Sequence, residues 1–284
     1  MIARSKPRGA APLILTLPLT LALAWATSAA GCRLSKPPVV RAYPAPTVES
    51  LRGALEARQA AVRSMNARVR ATSWIGGERL RATVLMLVDR AGRLRFEAEV
   101  SLQGTVSILV SDGARFALLD LQKNELHRGP ACPANVASLI RIPLLPAEVA
   151  ALLLGDVALA GGAKEVSAEV LWDANLGADV LAVTHADGTR TLLAFRRQGN
   201  SDELVGVTRE GRAGRLWRVS FEEMTTVGTT RMPDVIRFAE GQQSFDEGVE
   251  IKFKDRAINN AANASDFTLA PPPGTAVIDV GCGA

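Results

Sequence analysis

Apolar and polar positions alternate with two different periods along this chain. Thr47, following Pro46, is placed to cap a helix, and Val48, Leu51, Leu55, Val62 and Met65 fall on one 3.6-residue stripe with Arg52, Glu56 and Arg63 off it. From Ala67 onward the period is two. The cleanest stretch is Arg93 to Val100, where Leu94, Phe96, Ala98 and Val100 face one way and Arg93, Arg95, Glu97 and Glu99 the other, which predicts a half-buried strand with a solvated outer face. Leu80 to Val88 repeats the pattern, as do Val106, Ile108 and Val110, and then Phe116 and Leu118. Turn residues at Gly76-Gly77, Ala91-Gly92, Gly104 and Asp112-Gly113 separate these segments, so the prediction is an antiparallel meander.

The alternation stops at Pro130 and resumes near Glu165. Between them, Asn135 to Ile142 and Pro146 to Leu154 are short, rich in Ala and Leu and free of β alternation, which predicts a central pair of helices. Strand patterns then return at Val166 to Trp172, Trp217 to Phe221 and Val249 to Phe253. The expected fold class is therefore mainly β with helices, an α+β arrangement of about 11–13 strands in one large curved antiparallel sheet. Its apolar concave face needs a cover, and the N-terminal helix and the central pair are the pieces available for it.

The N-terminus follows neither period. Arg4, Lys6 and Arg8 precede an apolar run from Ala10 to Ala26, and small residues follow at Ser28-Ala29-Ala30-Gly31. A run of roughly 17 residues ending in small side chains predicts an export signal covering residues 1–31 rather than a membrane-spanning helix. Cys32 comes next, and Ala-Ala-Gly-Cys resembles the bacterial lipobox with Ala29 in the place of its usual Leu. That resemblance implies an acylated Cys32 as the mature N-terminus and membrane attachment through lipid chains; the alternative is an ordinary secreted protein with a free thiol. Arg33 to Pro46 carries four prolines, so residues 32–46 are expected to form an extended tether with a reach of roughly 40 Å. Arg33 is not the Asp that retains many lipoproteins at the inner membrane, which favours the outer membrane.

Charge changes the picture only by exclusion. Without residues 1–31 the chain has 30 basic and 29 acidic side chains, so no broad electrostatic footprint for nucleic acid is expected. The two histidines, His127 and His185, have no His or Cys neighbours at zinc-ligand spacing and read as exposed strand-end residues. No nucleophile-elbow, phosphate-loop or dinucleotide motif is present, so no enzyme, metal or cofactor is expected. Cys132 and Cys282 are the thiols left if Cys32 is acylated. In an oxidising compartment an even pair favours a disulfide; the alternative is two separate thiols.

Taken in order, these elements resemble the LolA/LolB fold, and residues 47–284 are expected to form one such half-barrel. The motif carrying the likeness is Ile142-Pro143-Leu144-Leu145-Pro146 followed by Val149, Leu152, Leu153, Leu154 and Gly155, similar to the Pro-initiated helix of LolB, with Leu152 standing where that family has Trp. Ser101-Leu102-Gln103-Gly104 resembles the apolar hairpin tip of the family, which implies membrane contact at Leu102. The resemblance also implies that Phe96, Ala98, Ile108, Phe116 and Trp217 line a lipid-sized cavity with Val149 and Leu152 in its lid; on pattern alone these residues read as ordinary core. The implied partners are a membrane, the acyl chains of lipids or lipoproteins and a soluble periplasmic carrier. A structural scaffold of the same fold that holds no lipid is the competing expectation. Replacing the acylated residue, Cys32→Ala, is predicted to release the protein from the membrane fraction. Retention of the variant there with unchanged mass would contradict the anchor.

Overall fold

The computed structural model describes residues 37–75, 78–100, 103–158 and 164–282. Helix α1 spans Val48–Ala61, with the Thr47 hydroxyl accepting from the Ser50 amide at 3.1 Å and Leu51 and Leu55 buried. It stops earlier than the apolar stripe predicts. Asn259, nearly two hundred residues away in sequence, captures the helix end: its side chain donates to the Ala61 carbonyl at 2.7 Å and accepts from the Arg63 amide at 2.8 Å. Val62 and Met65 are fully buried all the same, delivered to the core by the cap and by the strand that follows.

That strand, β1 (Ser64–Ile75), opens a meander continued by β2 (Glu78–Asp89), β3 (Leu94–Val100), β4 (Gly104–Ser111), β5 (Arg115–Asp120) and β6 (Glu125–Pro130). Helices α2 (Pro133–Ile140) and α3 (Pro146–Leu153) follow, each with Pro in its first turn, where a missing N–H costs nothing. A second meander runs through β7 (Glu165–Asp173), β8 (Ala178–His185), β9 (Arg190–Gln198), β10 (Ser201–Gly211), β11 (Gly214–Val227), β12 (Thr230–Glu240) and β13 (Val249–Ile258). Pairing of β13 with β1 fuses the two into one sheet of fourteen strands, ordered β14-β6-β5-β4-β3-β2-β1-β13-β12-β11-β10-β9-β8-β7.

The fourteenth strand departs from the expected antiparallel pattern. β14 (Ala276–Asp279) runs parallel to β6, and its residues are exposed, so burial does not hold it there. Cys132 and Cys282 do: they form a disulfide with Cα atoms 5.9 Å apart, and Asn135 of α2 donates to the Gly281 carbonyl. Closing a loop of 150 residues is worth about 5 kcal/mol at the chain-entropy limit.

One face of the sheet is continuously apolar. Val69 stands beside Val84, Met86 beside Phe96 and Phe96 beside Leu109 on neighbouring strands; across the seam, Ala71 stands beside Ile251, Ile251 beside Ile236, and Ile236 beside Phe221. These side chains and the buried faces of α1, α2 and α3 make a single core. Ile108 is not part of it. Its register partner on β3 is Glu97, on the opposite face, and it is half-buried there, whereas Leu109 is fully buried beside Phe96. The sequence pattern misleads because β4 is apolar on both faces: Val110 is buried on the outer one, where the short 3-10 helix Ala264–Phe267 lies over β3. Leu109→Ala is predicted to destabilise the domain by about 2–5 kcal/mol and Ile108→Ala by less than half as much, read from urea unfolding. The reverse order would overturn this assignment of faces.

Candidate functional site

The inner face is filled by the protein's own side chains. Helix α3 lies deepest, with every residue from Val149 to Val157 buried, polar Asp156 included. Its exit is clasped from two directions. Arg58 of α1 donates Nε to the Gly155 carbonyl at 2.7 Å and Nη2 to the Leu154 carbonyl at 3.1 Å, satisfying the helix's orphan acceptors. Burial pushes the Arg58 guanidinium down from the usual arginine range, with the charges of Asp156 and Glu203 pushing back. Gly155 has φ +74°, which favours glycine, and a Cβ there would also press on the Pro233 ring at 2.9 Å and displace the Arg58 guanidinium from its clasp. The Asp156 carboxylate accepts from Arg90 Nη1 at 2.7 Å, while Arg90 Nη2 donates to the Val62 carbonyl at the end of α1. A buried charge that loses its partner costs about 3–5 kcal/mol, so Arg90 and Asp156 hold this junction only as a pair.

Helix α2 is held far more lightly. It buries Val136 and Ile140, and along its other face, at Ala134, Ala137 and Ser138, a cleft of about 330 Å³ opens between the helix and the ends of β12, β13 and β1. Ala137, Pro143, Phe238 and Val249 give the cleft an apolar floor, and Arg141 and Glu240 stand at its rim. A smaller cavity of about 140 Å³ lies beside α1 against Leu55, Phe195 and Leu204, so of the two openings beside a helix the cleft at α2 is the larger.

Two polar clusters bound the same face along β7 to β10. At one end Asp179, fully buried, accepts from Arg41 Nη2 at 2.5 Å and from the Tyr43 hydroxyl at 2.9 Å, and Trp172 Nε1 donates to the Val39 carbonyl. Burial and the Asp179 carboxylate push the Tyr43 hydroxyl above its ordinary pKa. Residues from Val39 to Tyr43 are therefore seated on the domain rather than extended as spacer. At the other end His185 is buried, not exposed as its place beside the Asp187-Gly188 turn suggests; Nε2 lies 3.0 Å from Thr191 Oγ1, and Arg209 donates to the same hydroxyl at 2.6 Å. His127 is half-buried on β6 beside Glu125.

The structure brings the expected site residues together unevenly. Phe96, Ala98 and Phe116 lie on the inner face as core, and Val149 and Leu152 sit at its centre on α3 rather than at a rim. Trp217 is half-buried on the same face, its ring 6.3 Å from that of Phe238, which links it to the cleft. Ile108 is on the outer face. Cys32 and Leu102 lie outside the described residues. Pattern reading misses Phe238 and Ala137, which form the cleft, because nothing in their local sequence separates a cleft wall from a core.

No family model matches the chain, and no curated protein matches it in sequence. Solved structures do match. A LolA superfamily protein of Nitrosomonas europaea superposes with a TM-score of 0.52 at 12% identity over 79% of this chain and 99% of that one. A DUF1329 family protein of Desulfovibrio piger gives 0.51 at 12% identity, covering 77% and 97%, and a candidate outer membrane lipoprotein-sorting protein domain of Vibrio parahaemolyticus gives 0.50 at 12%, covering 78% and 95%. The fold is a LolA-like half-barrel. LolB itself is not among these three, so the likeness extends to the architecture of a curved sheet closed by helices on one face. In this LolA-like domain the barrel is closed by α3 and the cleft by α2.

Proposed function

We propose that this is a lipid-anchored protein of the cell envelope, attached to the outer membrane through Cys32, that takes up acyl chains through the cleft at α2 and catalyses no reaction. Lipoprotein sorting or insertion is the role this suits, with a soluble carrier as the partner that delivers the chain. The cleft carries the reading, because it is the larger opening where the apolar face of a LolA-like sheet meets solvent beside a helix. The names of the Nitrosomonas europaea and Vibrio parahaemolyticus proteins support the same direction.

Magnitudes decide which helix moves. Withdrawing Val136 and Ile140 of α2 exposes two side chains at about 1.5–3 kcal/mol each, whereas about ten methylenes entering the space are worth roughly 8 kcal/mol. Displacing α3 would expose a whole helix and break the Arg58 and Arg90 contacts as well. The disulfide pins the start of α2 and the buried Ile142 and Leu144 anchor the chain beyond its end, so opening is confined to the short helix between them. A second reading, an assembly scaffold holding no lipid, is favoured by one observation: the interior is already filled.

Titration of the full chain carrying Cys32→Ala with a fluorescent 16-carbon fatty acid separates the two. Saturable uptake is expected, with a class of site that Ala137→Trp weakens at least about tenfold, a loss of about 1.4 kcal/mol or more. Absence of saturable uptake would leave the scaffold reading standing.

A further inference from the structure

A cavity larger than the cleft at α2 lies on the other face of the sheet. A trough of about 620 Å³ crosses the outer side of β8 to β11, within the range of small-ligand sites. The outer face of a curved sheet is ordinarily convex, so a trough there needs a cause. The pairing of β10 with β9 shifts register between Leu204 and Gly206, and such a bulge bends a strand and increases its local twist. The residues at the bend are small. Ala194 stands beside Gly206 and Gly206 beside Ser220, so the floor has little side chain to fill it. A Cβ on Gly206 would come within 3.1 Å of the Val219 carbonyl.

The walls are apolar at Val180, Leu192 and Met224, while the charged groups divide into two kinds. Three of the four acids pair with cations, Glu203 with Arg231 at 2.7 Å, Glu222 with Arg237 at 3.3 Å and Glu223 with Lys252 at 3.1 Å, while Asp173 accepts from the backbone amides of Asn175 and Leu176 at 2.9 and 3.0 Å. Two guanidiniums are placed differently. Arg218 stacks on Phe245 at 4.1 Å and donates Nη2 to the Gln243 carbonyl at 3.4 Å, and its Nε is buried with no hydrogen-bond partner. Arg196 reaches only the Leu176 carbonyl, at 3.3 Å. Among the described residues neither has a carboxylate partner within ion-pair distance, so the trough combines an apolar floor with two guanidiniums free to meet an anionic group.

We propose that the outer trough is a second binding site, for a single-chain anionic amphiphile whose alkyl chain lies over Ala194 and Gly206 and whose head group pairs with Arg218 and Arg196. The chemistry suits a long-chain carboxylate or a single-chain lipid phosphate. It does not rest on the cleft at α2, because the two sites are on opposite faces of the sheet.

The test uses the full chain carrying Cys32→Ala and a palmitic acid bearing a photoreactive diazirine, with crosslinked peptides located by mass spectrometry. Saturable labelling of residues 190–224 is expected. Palmitate and lysophosphatidate should compete, the better competitor naming the preferred head group, while the neutral 16-carbon alcohol competes at least about tenfold less well. Arg218→Gln, and independently the exposed Arg196→Gln, should remove that preference for the anion, whereas Ala137→Trp should leave the labelling intact. Labelling confined to residues 133–143 and 238–249, labelling that does not saturate, or an anion preference that survives both arginine variants would overturn the proposal.

Discussion

An open sheet with one apolar face cannot stand alone in water, and the rest of this structure follows from how that face is covered. Among the described residues three helices are available to cover the face of a fourteen-stranded sheet, and the deepest of them, α3, is eight residues long. So short a helix is marginal by itself. It is stable here because its apolar side chains from Val149 to Leu153 are buried in the core and because two arginines from elsewhere in the chain take up its terminal groups, Arg58 at the Leu154 and Gly155 carbonyls and Arg90 at Asp156. The position of α3 in turn sets what remains open, a cleft at α2 at one end of the sheet.

Much of this was legible in the sequence wherever a strand has one dry and one wet face. β2 and β3 declare themselves through strict alternation, because their outer side chains such as Arg95 and Glu97 pair with one another in solvent. β4 does not, because Phe267 and its neighbours return from the C-terminal segment to cover the outer face, and a strand dry on both sides carries no period-two signal. The end of α1 is set by Asn259 across the fold. β14 is short, exposed and parallel, held by a disulfide and by β6 rather than by any propensity of its own. The common cause of these gaps is long-range capture of local structure.

The candidate site was legible in part for the same reason. The inner-face residues Phe96 and Phe116 could be assigned to one side of the sheet, but whether that side is cavity or core depends on volume, and the volume is taken by α3. The Pro-rich stretch before α1 looked like free spacer, yet Arg41 and Tyr43 meet Asp179, a charge whose isolation on β8 has no reading without its partners. Polar residues on the inner face meet one another at its edge, His185 Nε2 with Thr191 and Arg209 among them, although His185 Nδ1 is buried without a partner.

The central claim is that α3 belongs to the core while α2 is the movable part of the cover. Amide hydrogen exchange on the full chain measures this directly, because exchange through global unfolding and exchange through local opening give different protection. The account predicts that the amides of Ala150 to Leu154 exchange as slowly as those at the centres of β2 and β3, and that Ala137 to Arg141 exchange distinctly faster. Exchange of α3 well ahead of the strands would contradict it, since α3 would then be a lid and the interior a closed cavity rather than a core.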